Sequence, residues 1–205
     1  MMIAVKMVMV FIIAYLIGSI PTGYLIVKAK KGIDIRETGS GSTGATNVKR
    51  ILGTKWFFTV MILDALKGVI SVLIAKKYFD LTYDITLAGL APILASLGVI
   101  IGHSKSIFLR FTGGKSVATG VGTILGLCWP VGLITAAIWG IITYTSKFVS
   151  LGSIIAITLA PVLMRMFNQN EYYIWFTAIC AAFVVIRHKD NIVRLCQGKE
   201  NKVRK

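Results

Sequence analysis

Three polar segments interrupt an otherwise apolar chain, and each carries groups suited to holding an oxyanion. The first, GSGSTGATNVKR (39–50), combines Gly39, Gly41 and Gly44 with the hydroxyls of Ser40, Ser42 and Thr43. Glycines let successive backbone N–H groups turn toward a single anion. A helix beginning within TGATNVKR would add its N-terminal dipole. It would also put Asn47 and Arg50, three apart, on one face, with Arg50 able to fork onto a phosphate. A flexible connector is the plainer reading, but connectors do not usually end in an Asn-x-x-Arg face.

The second segment, GHSKSIFLRFTGGKS (102–116), ends in a pattern that invites a nucleotide reading. The phosphate-loop pattern G-x-x-x-x-G-K-[ST] needs glycine at 109, where Leu109 stands, so an NTPase is rejected. Gly113 and Gly114 still permit close backbone approach, and Lys115 offers a point charge to a phosphate. Interfacial snorkelling is the bland account of Lys115. In the third segment, RHKDNIVRL (187–195), His188 and Asn191 share a face if the last helix continues past the membrane, and Arg194 extends it. The surrounding cations disfavour protonation of His188, leaving a neutral ring that donates or accepts a hydrogen bond. Inside an apolar block, LDALKG brings Asp64 and Lys67 within ion-pair spacing; a structural pair is the first reading and a proton or ion pathway the second.

The elements that position these segments follow from composition. The chain is 56% hydrophobic and 15% charged, and its apolar residues lie in long blocks without an amphipathic period. That pattern describes a polytopic membrane protein rather than a soluble bundle. The N-terminal block is longer than the apolar core of a secretory signal and lacks a cleavage site, so it reads as a retained helix. Cys128, Cys180 and Cys196 have no paired spacing and suggest neither a zinc site nor a disulfide framework. No metal or cofactor is expected. Neither an internal repeat nor a long linker is visible, so residues 1–205 form one domain.

Helices are expected near 7–27, 55–75, 85–102, 117–128, 131–145, 151–167 and 172–186. Pro130 divides the fourth from the fifth. The positive-inside rule favours this count over a single helix across 117–145. With seven helices, 18 of the 23 Lys and Arg residues fall on one side; Lys6, Lys76, Lys77 and Arg165 fall on the other, and Lys67 lies within a helix. The expectation is an all-α fold with seven transmembrane helices, some short, the N-terminus outside and the C-terminus cytoplasmic. All three polar segments then meet the cytoplasmic membrane surface. The formal charge of +15 suits phosphorylated substrates and anionic membrane lipids. Nucleic acid is not an expected partner, because the cations are divided among short membrane-bound loops.

Taken together, the segments resemble the bacterial membrane family of acyl-phosphate-dependent glycerol-3-phosphate acyltransferases over essentially the whole chain. The family's first motif, G-S-G-N-x-G-A-T-N-x-x-R, is matched by Gly39-Ser40-Gly41, Gly44-Ala45-Thr46-Asn47 and Arg50. The second runs from a Gly-His pair to F-K-G-G-K-G-V-A-T, matched by Gly102-His103, Phe108-Leu109, Phe111, Gly113-Gly114-Lys115 and Val117-Ala118-Thr119. The third, R-H-x-x-N-I-x-R-L, is matched by Arg187-His188, Asn191-Ile192 and Arg194-Leu195. Ser42 stands where the family usually has asparagine, Lys105-Ser106 replaces an aromatic–proline pair, Thr112 replaces lysine and Ser116 replaces glycine.

The resemblance implies transfer of a fatty acyl group from acyl phosphate to the sn-1 hydroxyl of glycerol 3-phosphate. It implies Ser40, Lys115, His188 and Asn191 as catalytic residues, and Gly39, Gly41, Gly44, Asn47, Arg50, Gly113, Gly114 and Arg194 as substrate-binding ones. An acyl phosphate carries a good leaving group, so positioning and charge stabilisation matter more than a strong base. The H-x-x-x-x-D dyad of other glycerolipid acyltransferases would need aspartate where Phe108 or Val193 stands. His188 is therefore expected to orient a substrate, with a substrate phosphate oxygen taking the hydroxyl proton. A transporter of organic phosphates would explain Asp64 and Lys67, but predicts inverted repeats and midplane polar groups. A lipid-binding scaffold would explain the charge, and would tolerate loss of Arg50 or Asn191.

Overall fold

A computed structural model describes residues 2–80 and 89–202, and the regular structure among them is helical apart from one isolated bridge between Ser106 and Thr112. The helices are α1 (Met2–Ser19), α2 (Thr22–Lys31), α3 (Ala45–Leu52), α4 (Thr54–Asp80), α5 (Leu90–Ser104), α6 (Val117–Leu127), α7 (Trp129–Ser146), α8 (Val149–Met166), α9 (Glu171–Arg187) and α10 (Lys189–Cys196). Three apolar stretches, Ile3–Lys31, Thr54–Tyr78 and Val149–Met166, are long enough to cross a membrane. Their outward faces carry Ile12, Leu16, Ile62, Leu66, Ile70 and Val162, each at least two-fifths exposed. Lipid covers such surface without cost, whereas water would not.

The first expected helix, 7–27, is two helices. Pro21 has no N–H to continue the ladder and its ring crowds the preceding turn, so α1 stops at Ser19 and α2 restarts at Thr22. Hydropathy runs unbroken across this point, which is why composition alone joined the two. The division at CWPVG is as expected: Cys128 is extended (φ −146°, ψ 99°), and Pro130 occupies the first turn of α7, where its missing N–H costs nothing. Of the expected helix 85–102, residues 85–88 lie outside the described residues, and α5 accounts for the remainder.

The chain divides into two compact units, 1–126 and 127–205. In the first, α1 packs along α5, and α4 packs against α5 and α3. The α1–α5 approach depends on Gly98 and Gly102, spaced as G-x-x-x-G on α5: a Cβ at either would run into a backbone carbonyl of α1, that of Phe11 or Tyr15. A second core, Val27, Ile35, Val48 and Val60, joins α2, α3 and α4 beneath the first polar segment. In the second unit, α7 packs on α8 and α8 on α9, and α10 follows directly on α9.

Candidate functional site

The first segment is a tight loop organised from inside by one side chain. Asn47 is 1% exposed. Its amide nitrogen donates to the carbonyls of Ile35 (3.2 Å), Thr38 (3.0 Å) and Ser42 (2.9 Å), and its oxygen accepts from the Ser40 N–H at 3.1 Å. Gly39 and Gly41 hold φ values of +59° and +67°, conformations that side chains rarely adopt. A Cβ on Gly39 would also strike the Asn47 oxygen. α3 begins at Ala45 with Gly44 as its extended cap, so Asn47 points into the loop while Arg50, one turn on, is exposed. Several loop amides expected to face an anion are used internally: Ser40 N–H by Asn47, Gly41 N–H by the Thr38 carbonyl, and Gly44 N–H by the Ser42 hydroxyl. What the loop presents outward is the Ser40 side chain and, beside Gly39, Arg50, whose Cδ lies 3.6 Å from where a Gly39 Cβ would be.

Arg36, which sequence reading counted only as a cation, ties the first segment to the second. It grips Asp34 through Nε and Nη2 (2.6–3.1 Å), and its Nη1 donates to the Leu109 carbonyl at 3.3 Å with Thr112 Oγ1 3.5 Å away. The Arg36 hydrogen bond holds the Asp34 carboxyl below the ordinary carboxylate range, outweighing its partial burial. Thr112, where the family resemblance has lysine, thus faces a guanidinium, and its hydroxyl can accept where an ammonium would repel.

The second segment is pressed onto His103. The His103 carbonyl accepts from Gly114 N–H at 3.1 Å, and a Cβ on Gly114 would collide with the His103 ring. Ser116 is held at φ +58°, a conformation that suits the glycine of the resembled family motif better than a serine. Its hydroxyl repays the strain by bonding Ser104 Oγ at 2.6 Å and the Ile100 carbonyl at 2.9 Å. Lys115 between them is half-buried. Behind this loop the Asp64–Lys67 pair (2.7 Å) is a structural clamp. Lys67 donates to the Ile20 carbonyl at 2.6 Å, one of the groups freed by the Pro21 break. Asp64 accepts from Thr22 Oγ1 at 2.5 Å, and His103 Nδ1 lies 3.7 Å from it. The clamp reaches the first segment through α2, because Gly23 is packed so closely on the Thr43 carbonyl that a Cβ there would overlap it.

The third segment belongs to the second unit. α9 ends at Arg187 and α10 begins at Lys189, with His188 at the break rather than on one continuous helix. His188 is 4% exposed, and Nδ1 lies 2.8 Å from the Val184 carbonyl. A carbonyl only accepts, so Nδ1 carries a proton and the backbone fixes the orientation of the ring. Asn191 and Arg194 do share a face of α10. Both donate to Glu200, at 2.6 and 2.7 Å, and Ser150 at the start of α8 donates to the same carboxylate at 2.9 Å. Burial pushes the Glu200 carboxyl up, but these three hydrogen bonds outweigh it and leave the group below its ordinary value. Glu200 was missed because it lies beyond the third segment, in a tail that reads as solvated charge.

The described residues thus define a helical membrane protein whose conspicuous polar chemistry lies in two glycine-rich, cation-bearing loops and on the short helix α10. The model of the family named glycerol-3-phosphate acyltransferase matches residues 8–198. Curated glycerol-3-phosphate acyltransferases are similar throughout: one from Desulforamulus reducens is 45% identical over 98% of each chain, and one from Trichormus variabilis is 44% identical over 95% of this chain and 90% of that one. A crystal structure of PlsY, an integral membrane glycerol 3-phosphate acyltransferase, in its glycerol 3-phosphate form superposes with a TM-score of 0.87 at 36% identity. The match covers 96% of this chain and 95% of that one. The lysophosphatidic acid form of PlsY superposes with a TM-score of 0.85 at 35% identity, covering the same shares of the two chains. The chain belongs to the glycerol-3-phosphate acyltransferase family, and is an acyltransferase of phospholipid synthesis.

Proposed function

We propose that the protein transfers a fatty acyl group from acyl phosphate to the sn-1 hydroxyl of glycerol 3-phosphate. The sn-1 oxygen attacks the acyl carbonyl, the bond from that carbon to the phosphate oxygen breaks, and lysophosphatidic acid and inorganic phosphate leave. A phosphate oxygen of the substrates takes the hydroxyl proton. The observation that carries this reading is the exposed Ser40–Arg50 edge of a loop held rigid by Asn47, in a chain whose relatives include a structure in both glycerol 3-phosphate and lysophosphatidic acid forms.

In this reading Ser40, Arg50 and Lys115 bind phosphate oxygens and the charge that develops on the acyl carbonyl oxygen. Gly39, Gly41, Gly44, Gly113 and Gly114 keep the loops low enough for the substrates to approach. Asn47 acts through the loop it holds. His188 orients a substrate, and Asn191 and Arg194 bind phosphate in exchange for the Glu200 carboxylate that they now hold. Membrane lipid receives the long-chain product. The charge distribution further supports seven helices with the N-terminus outside, the C-terminus cytoplasmic and the chemistry at the cytoplasmic face. The closed hydrogen bonding of Asp64 and Lys67 speaks against a transport path through them.

Purified protein in lipid, given glycerol 3-phosphate with acyl phosphate, acyl-CoA or acylated carrier protein in turn, should form lysophosphatidate with acyl phosphate alone. No product with any donor would overturn the reading; product with another donor would correct its donor. Acyl label that stays on the protein and is released by hydroxylamine would replace direct transfer with an acyl-enzyme.

A further inference from the structure

Between α5 and Gly113 the chain forms a small, firmly held hairpin whose tip has no reason to be in water. Ser106 and Thr112 close its base by a backbone bridge, with Ser106 N–H on the Thr112 carbonyl at 3.3 Å and Phe111 N–H on the Ser106 carbonyl at 2.8 Å. Ser106 Oγ donates to the Ser19 carbonyl at 2.5 Å, and Tyr15 Oη to the Lys105 carbonyl at 2.9 Å, which pins the hairpin to the end of α1. Leu109 is buried beneath it. The tip side chains point the other way: Phe108 is 61% exposed, Phe111 58% and Ile107 48%, flanked by exposed Lys105 and Arg110.

Two consecutive non-glycine residues, Arg110 and Phe111, hold φ values of +53° and +59°. That conformation is unfavourable for L-residues, yet it leaves the Phe111 ring outside rather than burying it. The hairpin leaves α5 at Ser104, so connectivity holds it at the end of a membrane helix. Rigid aromatic side chains ringed by cations, at that level, match the composition of membrane-interface anchors.

We propose that residues 105–112 are an interfacial anchor: Ile107, Phe108 and Phe111 enter the acyl region, and Lys105 and Arg110 sit among anionic lipid headgroups. The hairpin runs directly into Gly113-Gly114-Lys115, so insertion fixes that stretch at headgroup depth, where the phosphate of a membrane-dissolved acyl donor lies; this second part rests on the acyltransferase reading, and the insertion does not.

The test is depth measurement by spin label in nanodiscs of phosphatidylglycerol and phosphatidylethanolamine, with the exposed Cys196→Ser change as background. Labels at Phe108→Cys and, separately, Ile107→Cys should be severalfold more accessible to oxygen than to a nickel chelate, relative to a label at Lys199→Cys. Chelate access at both sites equal to that at Lys199 overturns the anchor, and would leave the tip as an aqueous face for a protein partner. Phe108→Asp should then raise KM severalfold for a long-chain acyl phosphate dissolved in the disc while leaving kcat, and KM for a short water-soluble acyl phosphate, unchanged. An equal rise for both donors would overturn the link between the anchor and the site while the label data stand.

Discussion

The Ser40 backbone N–H donates to the buried Asn47 side chain at 3.1 Å, so an exposed loop residue is positioned by a buried one. Asn47→Ala would take the Asn47 partner from the Ser42 carbonyl and the Ser40 N–H, and one of several partners from the Ile35 and Thr38 carbonyls. We expect a loss of at least about 2 kcal/mol of stability, because each unsatisfied buried group costs about 1–3 kcal/mol. Thermal unfolding in detergent measures it. Ser40→Ala should leave the melting temperature unchanged while activity falls, and a matching loss of stability would place Ser40 in the scaffold instead.

Arg50 is exposed beside Gly39 and is expected to bind phosphate as a fork. Charge-assisted bonds contribute about 1.5–3 kcal/mol, so Arg50→Ala should lower kcat/KM for glycerol 3-phosphate about 10- to 100-fold. Arg50→Lys keeps the charge and loses the fork, so it should recover only part of the loss. Full activity in Arg50→Ala would remove it from the site.

The Asp64–Lys67 clamp gives a double-mutant test. Asp64→Asn or Lys67→Met leaves the other charge buried, and each should cost about 3–5 kcal/mol. The double variant should cost clearly less than the sum of the two. Strict additivity, read from unfolding in a mild denaturant, would mean that the pair does not act as one unit.

Ser116 sits at φ +58° and repays the strain through two hydrogen bonds. Ser116→Ala keeps the strain and loses both bonds, and should cost about 1–3 kcal/mol. Ser116→Gly loses the bonds but relieves a conformation that costs L-residues about 1–2 kcal/mol, so it should be close to neutral. Equal melting temperatures for the two variants would contradict this account.

Glu200 supplies a pH dependence. Its carboxyl titrates lower in the folded chain than in the unfolded one, so its contribution is fully present above about pH 5 and fades as pH falls through the lowered value. Amide protection factors across 189–200, corrected for intrinsic exchange, should therefore fall on acidification well before the helices open. Glu200→Gln should show the lower protection already at neutral pH and lose the acid response. An unchanged acid response in that variant would assign it to another group.

Much of this was readable from residues alone, for physical reasons. The lengths of apolar blocks follow from bilayer thickness, and Pro130 marks a helix start because a proline in a first turn forfeits no bond. Asp64 and Lys67 were legible as a pair because charges inside apolar helices must be compensated. Pro21 was not read as a break, since Lys67 supplies a partner to the Ile20 carbonyl from a distant position and hydropathy carries no trace of that. Arg36 and Glu200 escaped notice for a related reason: the bonds that reach the Leu109 carbonyl and the Ser150 hydroxyl join residues far away in sequence, and an ion on a loop has no local signature of them. Asn47 turns its side chain back into its own loop, which spacing on a helix face cannot tell from a turn toward a ligand.

The Pro21 break has a consequence for how the protein can vary. Gly23 carries the position of α2 to the Thr43 carbonyl, and α2 in turn is fixed by bonds from α4. Any displacement of the first loop is therefore opposed by the packing of transmembrane helices. Selection for catalytic precision and selection for correct membrane folding act on the same side chains there. Variants at Thr22, Gly23, Asp64 and Lys67 should accordingly lose yield and activity together, whereas variants at Ser40 and Arg50 should separate the two.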